Sequence, residues 1–93
     1  MHAVVVTVTI DATRTAESDE VLQQHVIPQS KAEPGFVRGM WLRTADETGG
    51  RGILIFATEG HAAAAAALIR QTTTTDHPVN VDSVETFEVV GEA

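Results

Sequence analysis

The chain has 93 residues, 13 carboxylates against 6 lysines and arginines, and no cysteine. That length fits one domain over residues 1–93 with no room for a second core, and a chain this short buries only about 60–65% of its unfolded surface. The acidic balance argues against nucleic acid as a partner, and the missing cysteine removes thiol nucleophiles, redox pairs and thiolate metal sites while suiting a reducing cytoplasm.

From Ala3 to Ile10 valine and threonine alternate, with Val4, Val6, Val8 and Ile10 on one side, which predicts a strand. Asp11 to Ala16 is polar, and Thr13 and Thr15 are its best helix caps. The stripe Val21, Leu22, His25, Val26 then predicts a helix that kinks or stops at Pro28, which has no N–H for the ladder. Pro34-Gly35 breaks the chain, and Phe36 to Arg43 reads as the second strand.

Asp46 to Gly50 predicts a hairpin turn with the glycines supplying positive φ, and the third strand runs from Arg51 to Thr58. The second helix is expected from Thr58 to Gln71, with Thr58 as its cap. Its six consecutive alanines, Ala62 to Ala67, give high propensity and a thin profile that lets it approach a sheet closely. Thr72 to Thr75 reads as a mobile loop, and Val79 to Val90 as the last strand. The longest apolar run, Ala62 to Ile69, falls far short of the roughly 20 residues of a membrane span. Met1-His2-Ala3 lacks the charged lead of a secretion signal, so a cytoplasmic protein is expected.

The element order predicts an α+β fold: a four-stranded antiparallel sheet with two helices on one face. The third strand is apolar on both sides, with Leu54 and Phe56 opposite Ile53, Ile55 and Ala57. The second strand sets Phe36, Met40 and Leu42 opposite Val37 and Trp41. Strands apolar on both sides are buried on both sides. Two helices shield one face only, so the other is expected to meet a second copy in a homodimer, or else to form an apolar groove for a lipid-like ligand.

Four side chains are candidates for a ligand pocket. His25 shares the stripe that faces the sheet, where an imidazole binds or deprotonates a ligand, or is simply a satisfied core histidine. His61 starts the second helix, as a ligand contact or as a flank of the cap turn. Trp41, the only tryptophan, stacks on a planar substrate or fills core. Arg38 shares a strand face with apolar residues and needs a carboxylate, for which Glu85 is the candidate, or a ligand anion. The four histidines, His2, His25, His61 and His77, show no ligand-type spacing, so no metal is expected.

Pro34-Gly35-Phe36, Trp41-Leu42-Arg43, Gly49-Gly50-Arg51-Gly52 and His61 with the alanine-rich helix together carry a resemblance that spans nearly the whole chain. The chain resembles the antibiotic-biosynthesis-monooxygenase-type family of dimeric α/β barrels, which have a ferredoxin-like fold. The resemblance implies a β-α-β-β-α-β subunit of strand order 4-1-3-2 and a homodimer formed by two packed sheets. It also implies an activity: cofactor-independent monooxygenation of an aromatic polyketide, or haem degradation. In the haem-degrading members an asparagine, a tryptophan and a histidine carry the site. Here Trp41 and His61 stand on the second strand and second helix, the only asparagine is Asn80 on the last strand, and there is no tyrosine. The expectation is a monooxygenase-like protein acting on a hydrophobic or aromatic metabolite without a cofactor. The alternative is a non-catalytic module of the same fold that binds a small molecule or assembles with other chains.

Overall fold

A computed structural model describes residues 1–71 and 77–93 of the protein. In chain order the elements are β1 (His2–Ile10), a 3-10 turn (Ala12–Arg14), α1 (Thr15–Val21), a π-helical segment (Leu22–Val26) and α2 (Ile27–Ala32). They are followed by β2 (Phe36–Arg43), β3 (Gly49–Phe56), α3 (Glu59–Gln71) and β4 (Val79–Glu88). The strands form one antiparallel sheet in the order β2-β3-β1-β4, the 4-1-3-2 order of a ferredoxin-like α+β fold. The expected threonine loop, Thr72 to Thr75, lies outside the described residues.

Cross-strand register sorts the side chains into rows. Gly39, Leu54, Val4 and Thr86 form one row, and Trp41, Gly52, Val6 and Val84 the next on the same face. Val4, Val6, Leu54 and Phe56 of this face bury against Ala62, Ala65 and Ala66 of α3. Alanine side chains let α3 settle close to the sheet, and Val4, Phe56 and Ala66 lose all solvent contact. Phe36 and Phe56 meet edge to face at 5.9 Å, a geometry that aromatic quadrupoles favour.

The opposite face carries the rows Met40, Ile53, Val5, Glu85 and Arg38, Ile55, Ala3, Phe87. Ile55 and Ala3 are buried, but Met40 and Phe87 are about half exposed, at 53% and 49%. The face is apolar, as the alternation predicted. One assignment on it changes. A bulge between Phe36 and Arg38 flips the alternation, so Phe36 packs on the helix side with Trp41 rather than beside Met40.

The first helix does not stop at Pro28. The Ile27 N–H bonds to the Leu22 carbonyl, five residues back, and this wider turn carries the helix past the proline to Ala32. Ser30 Oγ donates to the Val26 carbonyl at 2.7 Å beside it. At the other end the N-cap position of α1 itself, Arg14, makes no side-chain cap bond. Asp11, not a threonine, caps the 3-10 turn that leads into α1: its Oδ1 accepts from the Thr13 N–H at 3.0 Å and the Thr13 hydroxyl at 2.6 Å. Those bonds hold the Asp11 carboxyl below its ordinary pKa.

In the β2–β3 hairpin the positive φ falls on Glu47, at 63°, and not on the glycines. Gly50 is required for a different reason, since a Cβ there would sit 2.5 Å from the Leu42 carbonyl oxygen.

Candidate functional site

α3 lies against β1, β3 and β4, and α2 against β2, while the helical stretch from Thr15 to Val26 stands off the sheet. Beneath it opens a cleft of about 1010 Å³. Val6, Val8, Leu54 and Trp41 form the floor, and Val21, Leu22, His25 and Val26 the roof. The floor is low partly because Gly52, buried in the Trp41 row, presents no side chain.

Trp41 is half-buried and packs against the core while lining this cleft. Its indole lies over two glycines. A Cβ on Gly52 would approach Cδ1 and Nε1 to 3.2 Å, and one on Gly39 would approach Cη2 to 3.0 Å. Any larger residue at either position pushes the ring away from the sheet.

His25 lies in the π-helical segment and is exposed to solvent within the cleft lining. A π turn inside an α-helix rotates the residues it contains away from the regular stripe, and such turns recur where a side chain is aimed at a site. The two serines nearby are occupied by their own helix, Ser18 Oγ donating to the Thr15 carbonyl at 2.9 Å and Ser30 Oγ to that of Val26. His77 and Asn80 line the β4 side, with His77 Nδ1 3.1 Å from the Val79 nitrogen and 2.8 Å from its carbonyl oxygen. At the open end of β2, Arg43 Nη1 donates to Asp19 Oδ1 of α1 at 2.6 Å, so an ion pair spans from sheet to helix.

Of the four candidates, the cleft brings together His25 and Trp41. His61 lies elsewhere. Its N–H donates to Thr58 Oγ1 at 3.2 Å and its Nδ1 sits 3.0 Å from the same oxygen, so Thr58 caps α3 and the imidazole packs on the cap. Gly35 closes this arrangement: at φ 76° its Cα faces the imidazole so closely that a Cβ would come within 2.3 Å of Nδ1.

Arg38 is on the helix-free face and pairs with Glu92, not with Glu85. Glu85 shares that face but belongs to β4, at the far edge of the sheet. Beside Arg38 is a small hollow of about 180 Å³, lined by Met40 and Ile53 among others.

Sequence reasoning missed Asn80, Arg43 and the glycines under Trp41. Only the run Gly49-Gly50-Arg51-Gly52 hinted that the sheet floor lacks side chains. Among the described residues, no cluster of three His, Asp or Glu side chains is placed to hold a metal ion. No described helix is long and apolar enough to cross a membrane.

No family model matches the chain, and no curated protein matches it. Solved structures do. The heme-degrader MhuD from Mycobacterium tuberculosis, with two hemes bound in its active site, superposes with a TM-score of 0.74 at 16% identity, covering 100% of this chain and 99% of that one. HapK from Hahella chejuensis gives 0.69 at 12% identity, covering 100% and 96%. The monooxygenase ActVA-Orf6 of Streptomyces coelicolor, in complex with Nanaomycin D, gives 0.62 at 14% identity, covering 99% and 89%. These are ferredoxin-like proteins of the antibiotic-biosynthesis-monooxygenase type, the group that the sequence motifs resemble. At such identities the likeness establishes a shared fold.

Proposed function

We propose that this protein is a monooxygenase-like enzyme that binds a hydrophobic or aromatic small molecule in the cleft beneath the first helix, working as a homodimer. One observation carries the reading: a cleft of about 1010 Å³ that brings the only tryptophan and His25 together over an apolar floor. Ligand sites run to roughly 300–1,000 Å³ with apolar walls and a few placed polar groups, and this cleft has that composition. Two neighbours of the fold hold ligands, hemes in MhuD and Nanaomycin D in ActVA-Orf6.

Trp41 offers a flat face for an aromatic ring. His25, accessible within the cleft, accepts a proton from a phenol or enol, because an imidazole is suited to that transfer near neutral pH. Loss of the proton makes such a substrate electron-rich and open to oxidation by dioxygen. The second copy covers the helix-free face, where Met40 and Phe87 stand half exposed beside buried Ile55.

Native mass spectrometry of the purified protein tests both parts. The expected result is a dimer with a small molecule retained, and oxygen-dependent turnover of that molecule that falls at least about tenfold in His25→Ala. A monomer at micromolar concentration sinks the dimer. Unchanged turnover in both His25→Ala and Trp41→Phe sinks the assignment of roles. A retained ligand that is never turned over, with no other protein present, makes the chain a binding module.

A further inference from the structure

We infer that Arg43 makes the cleft selective for aromatic molecules carrying a carboxylate, which displaces Asp19 from the guanidinium; the inference rests on the cleft being the binding site proposed above. The chain as a whole has 13 carboxylates to 6 lysines and arginines. The cleft has little of that excess: among the described residues only Asp19 and Glu33 are carboxylates that line it, with Arg43 beside them. The side chain of Arg51, in the row of Leu42 and Thr7, belongs to the other face of the sheet. Asp19 is already engaged by Arg43. An anion therefore meets far less repulsion here than over most of the surface.

The geometry is suited to one acid group on one ring system. Arg43 follows Trp41 by two residues, so its row, with Gly50, Val8 and Val81, is next along the same sheet face. Two residues of strand span about 7 Å, the length of a fused aromatic body with a carboxylate at its end. A ring on the indole thus sets its acid group at the guanidinium.

The partner already there is weakly held. The Arg43 and Asp19 side chains are 36% and 54% exposed, and solvent-exposed ion pairs contribute little. A ligand carboxylate accepts both N–H groups of the guanidinium fork at once, whereas Arg43 Nη1 alone donates to Asp19. Release of Asp19 returns a half-exposed carboxylate to water at small cost. Arg43 acts as a specificity residue in this scheme, while the apolar floor supplies affinity that is blind to charge.

Calorimetric titration of the purified 93-residue protein with naphthoate and with neutral naphthamide separates the two contributions. The acid is expected to bind about tenfold more tightly than the amide. Arg43→Gln abolishes that preference and leaves naphthamide binding within about twofold, which also shows that the variant is folded. Arg43→Lys keeps part of the preference, and Asp19→Asn strengthens naphthoate binding alone. Equal binding of acid and amide by the wild type overturns the inference, as does a preference that survives in Arg43→Gln. In either case bound naphthamide leaves the cleft standing as the site. Failure of both probes to bind sinks the site and the selectivity together.

Discussion

The two helical covers of the sheet solve the same task in opposite ways. α3 presents alanines, and Ala62, Ala65 and Ala66 are buried against Val4, Val6, Leu54 and Phe56. The first helix presents Val21, Leu22, His25 and Val26, larger side chains that reach toward the sheet from a helix that stands away from it. Small residues give contact between backbones, and large ones hold backbones apart. The dry half of the helix face stabilises the molecule, and the open half is free to take a ligand. α3 thus carries most of the buried contact with the sheet, while the first helix roofs a cleft that α3 borders through Ala65, Leu68 and Ile69.

The largest expected effect comes from enlarging the dry half. Ala66→Leu forces three more carbons under α3 at a position with no exposure, and overpacking of this kind costs about 1–3 kcal/mol. Val26→Leu adds one carbon to the roof of the cleft and is expected to change stability by less than about 0.5 kcal/mol. Urea unfolding of both variants checks the contrast. Similar losses in the two would mean that the cleft is as tightly filled as the α3 interface, and the comparison would collapse.

A smaller effect is expected at Pro28. Alanine there restores an N–H able to reach the Gln24 carbonyl, so the π turn can relax to regular α-helix. Stability should rise by about 1 kcal/mol, while His25 rotates out of the cleft and affinity for an aromatic probe falls. A gain in stability with unchanged probe binding would show that the π turn merely accommodates the proline and does not aim the histidine.

Much of this molecule was legible in its sequence, and the illegible parts share a cause. The strand alternation placed Val4, Val6 and Val8 on one face, and the doubly apolar β3 showed that both faces of the sheet carry apolar side chains. Thr58 as a cap was readable, and the His61 N–H three residues on is the donor that such a cap satisfies. What failed were features that shift a register by one residue. The bulge at Phe36 moves that ring across the sheet, and the π turn lets a helix run through a proline. Neither changes composition or period enough to be seen.

Long-range pairing was equally hidden. Arg38 meets Glu92, and Arg43 meets Asp19, through proximity that only the folded chain creates. Of the cleft, His25 and Trp41 were readable from stripe and rarity. The glycines beneath the indole were not, because their meaning is the ring they leave room for.

The smallest effect lies in the hairpin that fixes where β2 ends, just beyond Arg43. Asp46 Oδ1 accepts from the Thr44 hydroxyl at 2.7 Å, the Thr48 hydroxyl at 2.7 Å and the Thr48 N–H at 3.0 Å. These bonds favour the charged form and lower the Asp46 pKa from 3.8 to about 2, with the Thr44 hydroxyl the largest cause. A carboxyl depressed on folding contributes stability above its unfolded value, and that stability is lost as pH falls through the folded one. Wild type and Asp46→Asn should therefore differ by a constant amount in Tm above pH 3.8 and converge as the pH falls toward about 2. The carboxyl carbon of Asp46, followed by NMR over the same range, should titrate at the lower end. Titration near 3.8 would mean that the turn does not hold its threonines in solution. The end of β2, and with it the position of Arg43 at the mouth of the cleft, would then be less fixed than the hydrogen bonds imply.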